Sequence, residues 1–257
     1  MDHSHTALII VDNQIGALDS PFWSPARSNP AYLSNLTTLL SAFRSIPSGA
    51  QAPHSNPPIH SVLKSFKNHS LVLSLSAPNQ ITDPHVPVLH IYHASTNPLS
   101  PLHPSSPGIA FHSNTLPLPN EAVFSKTKNS AFCGTSELER WLRGHEIWKI
   151  YFVGLSVDLC LGSTIRHASD LGIADHEVDE RVLVGNEKGE GTRERENVSK
   201  GDIVLVEDAT AAWAKYNGEY DAELVHGVHV GSLKGEFARV VKTEDVLVEM
   251  GLTGKSN

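Results

Sequence analysis

The run Ile150 to Leu155 is apolar throughout, and an apolar run of this length bounded by a polar turn reads as a strand buried on both faces. After a turn through Ser156 to Leu159, the stretch Cys160 to Ala168 has helical spacing, with Leu161, Ile165, Ala168 and Leu171 on one stripe and Gly172 as its stop. A strand feeding a helix through so short a turn is half of a parallel βαβ unit, which already narrows the fold to an α/β arrangement. The junction also carries a thiol. Unpaired N–H groups and the positive end of a helix favour thiolate over thiol, so Cys160 is a candidate nucleophile, the alternative being a thiol that packs as a small apolar side chain.

A second strand of the same kind, Leu8 to Val11, is followed at once by Asp12, Asn13 and Gln14. Ligands of open α/β sheets bind beyond the carboxyl ends of the strands, so Asp12 stands where a general base would be useful, or where a strand simply turns. The rest of the chain keeps the rhythm. Leu33, Leu36, Leu39, Leu40 and Phe43 mark a helix over Ala31 to Ile46, Val86 to Tyr92 reads as a strand, and Ala122 to Phe124 reads as a short strand running into Ser125 and Lys126. Ser136 and Glu139 fit a capping box for a helix that carries Leu138, Trp141 and Leu142 and closes at Gly144. Ile203 to Val206 resumes the sheet, and Asp221 to Leu233 reads as the last major helix. The expected architecture is a three-layer α/β/α sandwich, Rossmann-like, with a mainly parallel central sheet in a single domain over residues 1–257.

Two stretches interrupt this pattern. Residues 47–85 are rich in Pro, Ser and His and hold only a weak helical signal from Val62 to Phe66, and residues 185–201 carry dense charge that no core accepts; both read as insertions. A third polar stretch, Ser95 to Pro119, is too long for a plain connector and reads as a loop over a site.

A net charge of −8 gives no basic footprint, which argues against nucleic acid and against anionic membrane surfaces as partners. Two cysteines make no disulfide framework, and neither a signal-type segment nor a membrane-length apolar run is present, so a cytoplasmic protein acting on a small molecule is expected.

Four segments, in order, carry a family resemblance: Leu8-Ile9-Ile10-Val11-Asp12-Asn13-Gln14; Lys126 to Thr135 leading to Leu138; Gly154 to Cys160 with Thr164, Arg166 and Ala168; and Glu207-Asp208-Ala209-Thr210-Ala211. In these the chain resembles the isochorismatase-like cysteine hydrolases, the superfamily that includes nicotinamidases and related amidohydrolases. The resemblance implies a catalytic triad of Asp12, Lys126 and Cys160, an oxyanion hole from the backbone N–H groups of Ser156 and Cys160, and a cis peptide between Leu155 and Ser156. It selects Lys126 rather than Lys128, since the family's lysine lies six positions before the aromatic of the Ser-Ala-Phe element. It also implies a homo-oligomer, built on a dimer, with Ser95 to Pro119 or the region of Trp213 near a subunit contact.

Cys160 favours hydrolysis of an amide, imide or ureide C–N bond through a thioester. The alternatives are the vinyl ether hydrolysis of true isochorismatases, which use no cysteine nucleophile, and a non-catalytic protein that binds a partner on the same fold. Gln14, Phe22, Trp23, Phe132 and Trp213 are the substrate-binding candidates, each of which could instead anchor a loop. Cys133 reads as a packed thiol. No cofactor and no metal are expected: the Asp-x-His element of metal-dependent nicotinamidases has no counterpart at the matching place, His90 and His93 fall on opposite faces of a strand, and His226 and His229 lack further ligands.

Overall fold

The computed structural model describes residues 3–18, 22–24, 26–47, 85–177 and 198–252. Strand β1 (Thr6–Val11) is buried along its whole length and leads into a single helical turn, α1 (Ile15–Leu18). Helix α2 (Tyr32–Ser45) buries Tyr32, Leu36, Leu39, Leu40 and Phe43, the stripe its spacing dictates. Strand β2 (Val88–His93) follows, then a long connection with two 3-10 turns at 107–109 and 113–115, then β3 (Ala122–Lys126) and α3 (Glu137–Gly144). Strand β4 (Lys149–Leu155) feeds α4 (Cys160–Asp170). The two-residue strands β5 (His176–Glu177) and β6 (Val198–Ser199) pair antiparallel, and β7 (Asp202–Ala211), α5 (Ala222–Leu233), β8 (Arg239–Val241) and α6 (Thr243–Glu249) complete the chain.

Among the described residues six strands form one parallel sheet in the order β3-β2-β1-β4-β7-β8. Alternate side chains of β1 and β4 enter two different cores, as a period of two requires. Ile9, Val11, Ile150 and Phe152 pack with α3, α4 and α5, whereas Leu8, Ile10, Tyr151 and Val153 pack with α2 and α6. The three-layer α/β/α sandwich with a parallel sheet is thus what the chain forms. Chain direction along the sheet diverges between β1 and β4, the place where such sheets open a crevice at their carboxyl ends.

Several local expectations change. The capping box at α3 does not form, because Ser136 has helical-side ψ and makes no cap bond; Thr135 Oγ1 takes the Glu137 N–H instead, and Glu139 is held by Arg143 at 3.0 Å. Leu171 is not part of the buried stripe of α4. It is 38% exposed, since it caps the helix where Gly172 turns the chain away. Strand β7 passes beyond Val206: Glu207 to Ala209 bulge out of the ladder with β4 and pairing resumes at Thr210 with Gly154. Asp208 accepts from the backbone and hydroxyl of Thr243, and its carbonyl takes the amides of Asn29 and Asn35, so the fourth motif segment is a structural knot that ties α2 and α6 to the sheet.

The two stretches that read as insertions are flanked by paired residues. Pro47 pairs with His85, and β5 pairs with β6, so residues 198–201 are built into the fold rather than into a loop. The signal from Val62 to Phe66 and most of 185–201 lie outside the described residues.

Candidate active site

The site is made by the carboxyl ends of β1, β3 and β4 with the first residue of α4. Register brings it together: Val11 lies opposite Gly154, and His93 opposite Lys126. Gly154 has φ +110°, and a Cβ there would meet the Val11 carbonyl oxygen at 2.2 Å, so only glycine lets the two strand ends lie this close. Asp12 itself sits at φ 51°, a left-handed conformation that costs a non-glycine residue about 1 kcal/mol and turns its side chain out of the strand path.

Lys126 is 2% exposed, and its Nζ donates to Asp12 Oδ2 at 2.7 Å. Burial works against this ammonium, yet Asp12 and then Cys160 outweigh it and hold its pKa above the usual lysine value. The Cys160 thiol interacts with both Asp12 and Lys126. Its Sγ also lies 3.9 Å from Asn129 Oδ1. Burial pushes the thiol up, the Asp12 charge pushes it further, and Lys126 opposes them without prevailing. This corrects the expectation of a resting thiolate: helix end and lysine are both present, but desolvation and the carboxylate win. Asp12 Oδ1 is buried with no hydrogen-bond partner, so it retains lone pairs for a proton.

Beyond β4 the Leu155–Ser156 peptide is cis. The Ser156 carbonyl accepts from Leu159 and Leu161, which winds residues 156–160 into a tight turn, and Val157 N–H bonds the Ala211 carbonyl. No backbone acceptor takes the N–H of Ser156 or of Cys160 among the described residues, so both donors are open to a ligand. Asp158, whose side chain is almost fully covered, pairs with Lys215 and holds the turn from the other side.

The remaining sequence candidates are placed as follows. Gln14 is fully buried and spends its amide on backbone: Nε2 donates to the carbonyls of His93 and Ile109, and Oε1 accepts from His93 N–H. It locks the end of β2 to the loop after β1. Phe22 is 51% exposed and meets Trp23 edge-on; Trp23 stacks on Trp213 at 5.7 Å and donates to the Gly16 carbonyl. Residues 26–28 run antiparallel to 212–214, just beyond the end of β7, and Trp213 is buried in the core cluster that α2 joins, with Trp23 packed against it. Phe132 lies in the core beside α3 and α4, its segment anchored by Ala131 N–H to Thr164 Oγ1. Lys128 is exposed. Cys133 is exposed too, so it is not the packed thiol expected, and the positive φ of Gly134 turns the chain outward at that point.

Two residues at the site were not among the candidates. Asn129 reaches the thiol from the lysine loop, and His93 Nδ1 lies 3.0 Å from Lys126 Nζ. The signal for His93 was its position as last residue of β2, beside the last residue of β3. Burial, then Lys126, hold the His93 imidazole below its ordinary pKa, so the ring is neutral. Asp12, His93 and Cys160 are also the one group among the described residues whose donor atoms lie close enough to hold a metal, all within 4.8 Å of one another. The Lys126 ammonium already bonds Asp12 and His93 and interacts with the thiol.

The chain gathers an acid, a lysine and a cysteine at the carboxyl edge of a parallel sheet, and comparison with known proteins gives the family to which this fold belongs. Residues 6–245 match the Isochorismatase domain family, and the chain belongs to that family. The uncharacterized isochorismatase family protein YrdC of Bacillus subtilis is 29% identical over 163 residues, covering 62% of this chain and 72% of that protein. Among solved structures, an isochorismatase-family protein of Chromobacterium violaceum is 25% identical, with a TM-score of 0.66 over 98% of this chain and 97% of that one. A cysteine hydrolase of Pseudomonas syringae shares the fold at 16% identity, with a TM-score of 0.64 over 98% of this chain and 94% of that one. Among the described residues no helix is long and apolar enough to cross a membrane.

Proposed function

We propose that this isochorismatase-family hydrolase is a cysteine hydrolase that cleaves the C–N bond of a small amide, imide or ureide. The observation that carries the reading is the buried Lys126–Asp12 ion pair, at 2.7 Å, set beside a thiol that stands at a helix N-terminus. In the first step Asp12 takes the Cys160 proton as the sulfur attacks the carbonyl carbon. A resting thiol with a neighbouring base suits that order, since the sulfur charge then develops only during attack. The N–H groups of Ser156 and Cys160 would hold the oxyanion, and Lys126 would keep Asp12 in place and offset the negative charge. Collapse breaks the C–N bond, the amine leaves with the proton held by Asp12, and an acyl thioester remains on Cys160. Water, giving a proton to Asp12, then attacks the thioester carbonyl. The acid departs, and Cys160 recovers its proton.

Trp23, Phe22 and Trp213 are the side chains we assign to the substrate side, since their segments follow the carboxyl ends of β1 and β7; Gln14 spends its amide on backbone and Phe132 lies in the core. The test is mass spectrometry of the protein quenched during turnover of small amides, alongside ammonia release. An acyl adduct confined to Cys160 supports the reading; steady ammonia release from the Cys160→Ala variant would overturn it.

The partners we propose are a small-molecule substrate and a second copy of the chain, in the cytoplasm, with no nucleic acid and no membrane. The homo-oligomer draws support from α5, where Leu224 and Val228 are exposed on a helix that has already covered Val225 and Val230, with exposed Tyr216 and Tyr220 nearby in sequence. Light scattering that gives the mass of one chain at micromolar concentration would rule it out.

A further inference from the structure

We infer that His93 is a positioning residue for Lys126, and with it for Asp12 and Cys160. The inference rests on the triad reading above and extends it to a residue on a fourth element. An ammonium has donors only, so at 3.0 Å from Lys126 Nζ the Nδ1 of His93 must present its lone pair. The ring proton is then on Nε2, on the side away from the lysine. One tautomer is therefore fixed by the lysine. The backbone of His93 is fixed as well, because Gln14 bonds both its N–H and its carbonyl.

The consequence concerns where the lysine charge sits. One N–H goes to Asp12 Oδ2, a second to His93 Nδ1, and the remaining direction is left for the thiol side of the site. Without the imidazole a flexible four-carbon chain would have a single anchor, and its charge could swing off the line between Asp12 and Cys160. The groups that face the ring are Asp12 from β1, Lys126 from β3, Cys160 from α4 and the Lys128 backbone. A protonated ring would put an N–H against the ammonium, breaking the bond and adding like charge.

The experiment uses iodoacetamide at pH 8 as the probe, with Cys160 modification read by mass spectrometry against exposed Cys133 in the same chain. His93→Ala should slow Cys160 labelling by about tenfold, the scale of one hydrogen bond to a charged group, with Cys133 unchanged. His93→Asn carries an acceptor near the Nδ1 position and should restore the rate to within about twofold of wild type. An unchanged rate in His93→Ala overturns the proposal. So does a His93→Asn variant as slow as the alanine one, because packing of the ring would then be the whole effect. Nitrogen-15 histidine spectra add a readout that needs no reaction: His93 should be the Nε2–H tautomer in the wild type, and its titration should move to higher pH in Lys126→Met. If Lys126→Met labels at the wild-type rate, the triad reading has failed, and an unmoved His93 titration in that variant would remove the coupling proposed here.

Discussion

Strand β2 supplies a histidine to each of two buried charge clusters, and the clusters differ in one respect. His90 points to the side where Glu121 is closed: Glu121 Oε1 accepts from Arg44 Nε at 2.7 Å, and Oε2 accepts from Arg44 Nη2, His90 Nε2 and Leu118 N–H, each at 2.8 Å. His93 points to the side where Asp12 is open: Oδ2 is bound to Lys126, and Oδ1 has no partner. The closed carboxylate is held down at about 2, because the hydrogen bonds from Arg44 and His90 outweigh the burial that works against it. In the open cluster burial and an unspent carboxylate leave the nearby thiol protonated. A buried charge whose bonds are all made serves stability, whereas one with a free lone pair beside a thiol has room to take a proton, as the proposed mechanism requires.

The largest effect should come from breaking the open cluster. Cys160→Ala or Asp12→Asn should lower hydrolysis about a thousandfold or more while the cooperative unfolding transition survives, measured by ammonia release and by thermal melts of the same samples. Residual activity near the wild-type level in either variant would mean that the nucleophile or the base lies elsewhere.

Breaking the closed cluster should do the reverse. Glu121→Ala leaves Arg44 and a buried His90 uncompensated and should cost about 3 kcal/mol of stability, with turnover per folded molecule within about twofold of wild type. The pH dependence has a definite sign. Glu121 has a depressed folded pKa, so its contribution is complete above the ordinary value of 4.5 and is lost as pH falls toward about 2. Burial keeps His90 neutral in the fold, so below 6.5 the unfolded chain takes up a proton that the folded one resists, and stability falls there too. Urea titrations should show wild-type stability declining below pH 6.5 through His90 and further below 4.5 through Glu121, with only the second part missing in Glu121→Ala. A variant that lost activity and kept stability would erase the distinction between the clusters.

How much of this was legible in the sequence depended on whether the signal was local. β1 and β4 are buried on both faces and therefore read as continuous apolar runs, and Asp12 and Cys160 stand at their ends where any parallel sheet places its ligands. Lys126 was legible only through the family pattern, because a lysine on a short strand gives no local sign of burial. His93 was half legible. A period of two correctly separated it from His90, but only the pairing of β2 with β3 shows that it ends beside Lys126. Strand β8 has three residues and offers too short a pattern to read, and α6 follows it directly. The bulge at Glu207 to Ala209 was hidden as well, since the residues that hold it, Asn29, Asn35 and Thr243, come from distant parts of the chain.

A third, smaller effect concerns the thiol. Asp12→Asn removes a charge that raises the Cys160 pKa and leaves Lys126, which lowers it. The pH at which Cys160 becomes half as reactive toward iodoacetamide as its plateau should therefore fall in this variant, even though turnover is lost. Cys133, exposed and outside the cluster, is the internal standard. A midpoint that rose or stayed in place would show that Asp12 does not face the thiol with its charge.

The smallest effect is expected two residues from one of the largest. Lys126 and Lys128 belong to the same segment, yet β3 ends at Lys126, whose side chain enters the sheet edge, while Lys128 is exposed in the loop beyond. The His93 imidazole is influenced by the Lys128 backbone, which a side-chain substitution keeps. Lys128→Ala should thus change hydrolysis by less than about twofold and stability by no more than about 0.5 kcal/mol, the range of a surface substitution. Lys126→Ala should be inactive, and destabilised as well, because Asp12 would keep a buried charge with no counterion. The pair of variants, assayed side by side at pH 8, decides between the lysines: an inactive Lys128→Ala beside an active Lys126→Ala would place the catalytic cation in the loop and leave the buried ion pair as a second closed cluster.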